Sequence, residues 1–257
     1  MNVTIALAII LLILMVLIAG AKGLGAFVSL WINFLVLACI ITLISFSFNP
    51  FWVLLIGGGI ILTITIISTG SDEDTTRTAL TVSFIVMLLL LVLIVPMEQI
   101  SSSAGFSVEN SEELEGLSLG INVPFKTLGI CAALLATLGA IAEAAVAISS
   151  SLAELQADQP RAKLSQLISA GQQVGREIVG TAVNTVLFGY LADFLSLSLL
   201  FTRLNYSFTD IINTKLFTSA LLSLMYSILG VVLVFPFTLL VFYLQHKKQT
   251  TNQDENA

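Results

Sequence analysis

The stretch that decides the fold is LGICAALLATLGAIAEAAVAIS, residues 128–149, in which uncharged side chains surround a single acid, Glu143. Its length matches the ~20 residues with which an α-helix crosses a hydrocarbon core of about 30 Å. Outward from it, the chain contains six further apolar stretches, at residues 3–19, 26–46, 51–68, 79–95, 178–200 and 216–242. Together they predict an all-α integral membrane protein, a bundle of about seven transmembrane helices.

The composition agrees with this fold class. Hydrophobic residues make up 57% and charged residues 10% of the 257 residues, whereas a soluble domain has about 45–50% and about 25%. The net charge of −6 lies largely in loops and tail, so we expect no nucleic-acid partner. The lipid bilayer is the expected partner of a single polytopic membrane domain, residues 1–248. A polar cytoplasmic tail, residues 249–257, is expected to follow it.

The inventory of reactive side chains is small. His246 is the only histidine and lies near the polar C-terminal end, which argues against a histidine-assisted nucleophile or a multi-histidine metal site. Cys39 and Cys131 share no short spacing and fall in apolar stretches, so we expect small core residues. We therefore expect no enzymatic activity, no catalytic residue, no cofactor and no metal.

The basic residues predict the orientation in the membrane. With seven spans, seven of the ten basic residues fall on one side, and the positive-inside rule makes that side cytoplasmic. The N-terminus is then outside and the C-terminus inside. The cytoplasmic set is Lys22, Arg77, Arg161, Lys163, Arg176, Lys247 and Lys248, and the outer set is Lys126, Arg203 and Lys215.

Two connections are long enough to hold structure. The outer one, residues 96–127, is acidic from Glu98 onward, and Asn110 is a candidate N-cap for a short surface helix. The inner one, residues 150–177, is interrupted by Pro160. After Pro160, Leu164 and Leu167 follow helical spacing and predict a short amphipathic helix. This helix could dock on the membrane surface or pack on the bundle.

Glu143 marks the candidate site, because an ionised side chain at the centre of a span costs roughly 2.5–3.5 kcal/mol on insertion scales. At 100° per residue, it shares one helix face with small side chains, and this face can pack closely on a partner helix. Glu143 could couple proton movement, or could only hydrogen-bond a neighbouring helix. The stripe consists of Ala132, Ala136, Gly139, Glu143, Ala147 and Ser150.

The sixth span carries a second polar stripe. Arg176 flanks it and could pair with Glu143 or remain among the lipid headgroups. Asp193 points 180° from Asn184 on an ideal helix, so it belongs to a different site or the helix distorts at Gly189. The stripe, here called the ribbon, consists of Gln173, Glu177, Thr181 and Asn184, and ends at Phe188. Close helix packing is predicted at Gly139, Gly171, Gly175 and Gly180.

These motifs resemble a known family. The sequence GREIVGTAVNT, residues 175–185, followed by Tyr190, resembles the G-R-D-I-x-G-T-x-x-N-T signature of the YibE/F family of multi-pass membrane proteins. GAIAE at residues 139–143, with ISSS at 148–151, is similar to a second segment of that family. Glu143 and Glu177 stand where the family usually has aspartate, and Asp193 stands where small or uncharged polar residues are usual.

The resemblance implies a bacterial cytoplasmic membrane, a transport-like architecture and often a related sister protein. We interpret the chain as a permease or export component, either a homo-oligomer or a hetero-oligomer with a related YibE/F-type subunit. The alternative is a non-transporting scaffold or accessory subunit. The residues expected to line the pathway are Glu143, Ser150, Gln173, Arg176, Glu177, Thr181 and Asn184.

Overall fold

The computed structural model describes the backbone of residues 3–46, 48–101, 125–159 and 164–255, and the side chains of 3–46, 48–101, 129–159 and 164–246. All regular elements in these ranges are α-helices. They are α1 (Val3–Ser45), α2 (Pro50–Ser68), α3 (Glu73–Ser101), α4 (Phe125–Asp158), α5 (Leu164–Arg203), α6 (Phe208–Asn213) and α7 (Lys215–Glu255). The predicted all-α fold class is confirmed.

Six of the described helices are long and apolar enough to cross a membrane, namely all except α6. The difference from the seven predicted spans arises in α1, which contains both residues 3–19 and residues 26–46. Each of the other five helices contains one predicted span. The two apolar stretches of α1 meet at Gly20, where the backbone departs from helical geometry.

The backbone has a sharp kink at Gly20. Its φ of 57° and ψ of −130° lie in a region that favours glycine. A Cβ built on Gly23 would overlap the carbonyl oxygen of Met15, although residues eight apart in a straight helix are separated by about 12 Å. The two halves of α1 are therefore bent sharply towards each other at Gly20.

The predicted start of the outer connection at residue 96 is wrong. The helix α3 continues through Pro96 to Ser101, because a bundle interior can compensate for the hydrogen bond that proline removes. Glu98 is consequently not in a solvated loop: it is 3% exposed and accepts a hydrogen bond from the Tyr226 hydroxyl at 3.4 Å. The candidate N-cap Asn110 and the other acids of that connection lie outside the described residues.

The predicted short amphipathic helix after Pro160 is not a separate element. Residues 164–203 form one continuous helix, α5, and Leu167 is buried within the hydrophobic core of the bundle. Packing on the bundle is therefore the correct alternative for Leu167. The backbone of α7 likewise continues as helix beyond residue 249 to Glu255.

The core lies among α3, α4 and α7, with α2 beside it and α5 packed on α4 and α7. Apolar surface gains little from leaving lipid, so close steric fit holds such helices together. The glycines of α2 provide that fit, since Gly57 lies against Ile40 and Gly58 against Leu138. The largest fully buried side chains include Met87 and Leu90 of α3, Leu134, Leu138 and Ile141 of α4, and Tyr226 of α7.

Candidate functional site

An open cavity of about 480 Å³ lies among α4, α5 and α7, and Glu143 and Asp193, both exposed, are among the residues that line it. We call it the Glu143 cavity. Its lining residues are Ala136, Ala140 and Glu143 from α4, Thr185, Val186, Gly189, Tyr190 and Asp193 from α5, and Ala220, Ser223, Leu224 and Ser227 from α7. Three membrane-length helices therefore border one open space that carries carboxyl and hydroxyl groups.

The small side chains of α4 create room around Glu143. Ala136, Ala140 and Glu143 recur at spacings of four and three residues, which places them on one helix face. Ala136 is exposed and Ala140 half-buried. Because each side chain is only a methyl group, neither fills the space beside the Glu143 carboxylate. Of the predicted small-residue stripe, only Ala136 and Glu143 line the cavity, and Ala140, which also lines it, lies outside the predicted stripe.

The contribution of α5 comes from a face that includes Asp193. Thr185, Gly189 and Asp193 are four residues apart, so they align along a continuous helix. Asp193 lies in the same cavity as Glu143 and on the opposite side of α5 from Asn184. Asp193 and Asn184 therefore occupy different environments, as the helical geometry predicts, and it is Asp193 that shares the cavity of Glu143.

The ribbon does not enter the Glu143 cavity. Gln173, Glu177, Thr181 and Asn184 are all exposed, and none of them is among the residues that line it. The Thr181 hydroxyl donates to carbonyl oxygens of its own helix, 2.9 Å from that of Ile178. The two predicted stripes thus do not face each other, because the ribbon occupies another side of α5.

Two other predicted pathway residues also lie outside this cavity. Arg176 is exposed, and Ser150 is half-buried near the end of α4. Neither lines the space around Glu143. Within the chain, the structure therefore brings together Glu143 and Asp193 but not Glu143 and Arg176.

The four glycines with a predicted packing role fall into two pairs. A Cβ on Gly171 would overlap Leu152 of α4, and one on Gly175 would overlap Phe235 of α7. These two glycines let α5 approach both neighbours closely. Gly139 and Gly180 differ, because no described atom lies within 4 Å of where their Cβ would be.

The sequence reasoning missed the contribution of α7. Ser227 is buried, and its hydroxyl donates to the Ser223 carbonyl oxygen at 2.9 Å. Serines four residues apart in an apolar stretch share a helix face, and this spacing is the signal that could have identified them. Tyr190 stacks on Phe194 at 6.0 Å between ring centroids, which holds the tyrosine at the cavity wall.

The polar side-chain groups that line the cavity are carboxylates and hydroxyls, so the atoms that could bind a ligand are all oxygens. Carboxylates and hydroxyls suit protons and hard cations better than they suit soft metal ions. Among the residues that the structure describes, no three His, Cys, Asp or Glu side chains cluster as a metal site. The arrangement is thus one of two acids and several hydroxyls around an open space whose remaining lining is apolar.

Comparison with known proteins gives one match. The family model described as YibE/F-like protein matches residues 7–248, which confirms the resemblance seen in the motifs of the fifth and sixth spans. Neither a curated protein nor a solved structure matches the chain.

Proposed function

The chain belongs to the YibE/F-like family, and on that premise we propose that it is a multi-pass permease or export component with the Glu143 cavity on its pathway. The observation that carries the proposal is that Glu143 and Asp193 share one open cavity among three membrane-length helices. Acids within spans are costly and are tolerated mainly where they face a bundle interior or an aqueous cavity.

The proposed role of the two acids is to bind a proton or a cation during transport. Two carboxylates that line one cavity concentrate negative charge there, which attracts a positively charged ligand. Thr185, Ser223 and Ser227 add hydroxyl oxygens beside them. Glu143 is the coupling residue in this scheme, and Asp193 assists it.

We further propose seven crossings of a bacterial plasma membrane, with the N-terminus outside and the C-terminus inside. The sharp kink at Gly20, which lies between two apolar stretches of span length, supports two crossings within α1. The Lys22 ammonium donates to the Gly70 carbonyl oxygen at 3.1 Å, so the turn of α1 lies beside the connection that leads to Arg77. Both basic residues then belong to the cytoplasmic side.

The ribbon supports an oligomer in which a second subunit covers α5. Glu177, Thr181 and Asn184 are exposed, and polar side chains on a lipid-facing surface are unfavourable unless protein or water covers them. The cover is a second copy of the chain or a related YibE/F-type subunit. In either assembly, the ribbon and the exposed Arg176 line the subunit boundary.

The test is proton flux in liposomes that contain the purified protein and a trapped pH-sensitive dye, under an imposed pH gradient and with a panel of inorganic ions outside. We expect protein-dependent flux, with Glu143→Gln abolishing it and Asp193→Asn reducing it by about tenfold or more. The matched control is Glu154→Gln, an exposed acid of α4 that does not line the cavity. Full flux with Glu143→Gln would remove Glu143 from the mechanism.

The second candidate function is a non-transporting scaffold or accessory subunit, and the exposure of the ribbon favours it. In this alternative, polar side chains of α5 hydrogen-bond a partner helix. Asn184→Ala and Glu143→Gln then lower the abundance of the assembled complex, measured by size-exclusion chromatography after mild detergent extraction. A scaffold shows no protein-dependent flux, whereas a permease retains its subunit composition when Glu143→Gln abolishes flux.

A further inference from the structure

A second polar space lies where α3 begins and where α4 and α7 approach their C-terminal ends. It consists of two adjoining cavities of about 400 and 440 Å³, which we call the end cavity. The two parts share Asp74, Thr75, Ala153, Gln156 and His246. None of the residues around it lines the Glu143 cavity, so the two sites are separate.

Contacts of α3 and α7 side chains fix part of the wall of the end cavity. The buried Thr78 hydroxyl of α3 lies 2.9 Å from the Gln245 Oε1 atom of α7 and joins those two helices. The ring of His246 stacks on Phe242 at 6.3 Å between centroids. Thr78, Gln245 and His246 therefore belong to a preformed frame, and the charged side chains of Asp74 and Arg77 are exposed beside it.

Ser149 indicates that this frame is built for a polar ligand. Its residue is 3% exposed, it lines the first part of the cavity, and its hydroxyl oxygen has no hydrogen-bond partner among the described residues. Buried hydroxyls in proteins nearly always have such a partner. A polar group bound in the cavity would supply the missing hydrogen bond.

The charges around the cavity are of both signs. Asp74 and Arg77 stand three residues apart on α3, so they share a helix face, and both line the same space. A ligand with one charge would meet a like charge as well as an opposite one. A ligand with an ammonium and a carboxylate can satisfy both, while the amides of Gln156 and Gln245 donate or accept as needed.

We propose that the end cavity binds a small zwitterion of amino-acid type. Arg77 holds the carboxylate, Asp74 holds the ammonium group, and the Ser149 hydroxyl completes its hydrogen bonding to the ligand. Asp72 lies on the acidic side of the adjoining part and extends the surface that receives the ammonium group. The site is independent of the proposed transport pathway, because it uses none of the residues of the Glu143 cavity.

The experiment is thermal unfolding of the full-length protein in detergent with free amino acids as probes. Glycine, alanine, serine and glutamine are compared with ethylamine and acetate at equal concentration and ionic strength. Because a ligand that binds only the folded state raises apparent stability, we expect at least one zwitterion to raise the unfolding temperature in a saturable way. Ethylamine and acetate are expected to leave it unchanged.

The variants test the assignment of each charge. Arg77→Gln and Asp74→Asn should each weaken the zwitterion by about tenfold or more, and Ser149→Ala by a few-fold, as expected for charged and neutral hydrogen bonds. Glu154→Gln, on α4 but outside both parts of the cavity, should bind as the wild type does. Arg77→Lys keeps the charge and should retain part of the affinity, which provides a second measurement if Arg77→Gln does not fold.

Three outcomes would overturn the proposal. The first is a wild-type protein that unfolds cooperatively but responds to none of the amino acids. The second is equal stabilisation by the single-charge analogues, and the third is unchanged affinity in folded Arg77→Gln and Asp74→Asn variants. None of these outcomes bears on flux through the Glu143 cavity, so the two proposals fail separately.

Discussion

Glu98 and Tyr226 show how burial changes the meaning of a single residue. In the sequence, Glu98 is the first of several acids in a polar segment, and solvent exposure is the natural expectation. Its carboxylate instead lies inside the bundle and accepts a hydrogen bond from the hydroxyl of Tyr226, which is 1% exposed. No pattern within α3 alone indicates this contact, because Tyr226 is separated from it by more than one hundred residues.

The substitution Tyr226→Phe tests the strength of this contact. Removing the hydroxyl takes a donor from a buried carboxyl group, which costs about 1–3 kcal/mol, so we expect a lower unfolding temperature in detergent. Tyr243→Phe is the matched control, because Tyr243 lies on the same helix and is 40% exposed. Equal stability of Tyr226→Phe and the wild type would show that the hydrogen bond contributes nothing measurable.

Gly175 and Gly180 show that the closeness of packing against neighbouring helices differs between two positions of α5. Gly175 lies against the ring of Phe235, whereas Gly180 has open space at the same side-chain position. We expect Gly175→Ala to destabilise the protein by about 1–3 kcal/mol, because the new methyl group overlaps the ring. Gly180→Ala should be neutral or stabilising by up to about 1 kcal/mol, since alanine favours a helix.

Chemical or thermal unfolding of the two alanine variants in the same detergent measures this difference. The prediction concerns only the difference in unfolding stability between the two variants, so detergent effects common to both cancel. Equal destabilisation by both substitutions would mean that a second subunit occupies the space beside Gly180 in the purified protein. The oligomeric state of each variant, measured by light scattering, distinguishes that case from an error in the packing of α5.

The sequence predicts the existence of these helices better than their ends. Apolar length alone identifies each span, but the ends depend on tertiary contacts. Pro96 does not end α3, and Leu164 begins a helix that continues through the sixth span. Both differences arise because contacts between helices decide whether a polar or proline-containing segment remains helical.

The candidate site could be predicted only in part, for a geometric reason. Helical periodicity within α4 places Glu143 on a small-residue face, and periodicity within α5 separates Asp193 from Asn184. Each of these predictions concerns a single helix. Periodicity does not give the rotation of one helix relative to its neighbours. The pairing of Glu143 with Asp193, and the presence of Ser223 and Ser227 beside them, depend on that rotation.

At the scale of the whole molecule, two cavities with polar lining residues lie in separate parts of the bundle, in addition to the exposed ribbon of α5. The Glu143 cavity lies among α4, α5 and α7, and the end cavity among α3, α4 and α7. The helices α4 and α7 contribute to both regions. A conformational change that shifts these two helices would therefore alter both cavities at once.

The number of times that α1 crosses the membrane decides the topology of the whole chain. In the proposed topology α1 crosses twice, which places Thr4 and Gln159 on opposite sides, whereas a single crossing by α1 would place them on the same side. We therefore expect a cysteine at Thr4 to react with an impermeant maleimide in intact cells, as should one at Asn205, which is exposed in the turn before α6. A cysteine at Gln159 should react only after permeabilisation.

The background for this labelling is Cys39→Ala with Cys131→Ala, because Cys39 is exposed in the native chain. Reaction of Asn205 but not Thr4 in intact cells would mean that α1 crosses once and that the chain has six crossings. Reaction of Gln159 alone would reverse the orientation and place Arg77 outside, against the charge bias on which the orientation rests. The three positions together thus decide crossing number and orientation independently, because each alternative produces a different labelling pattern.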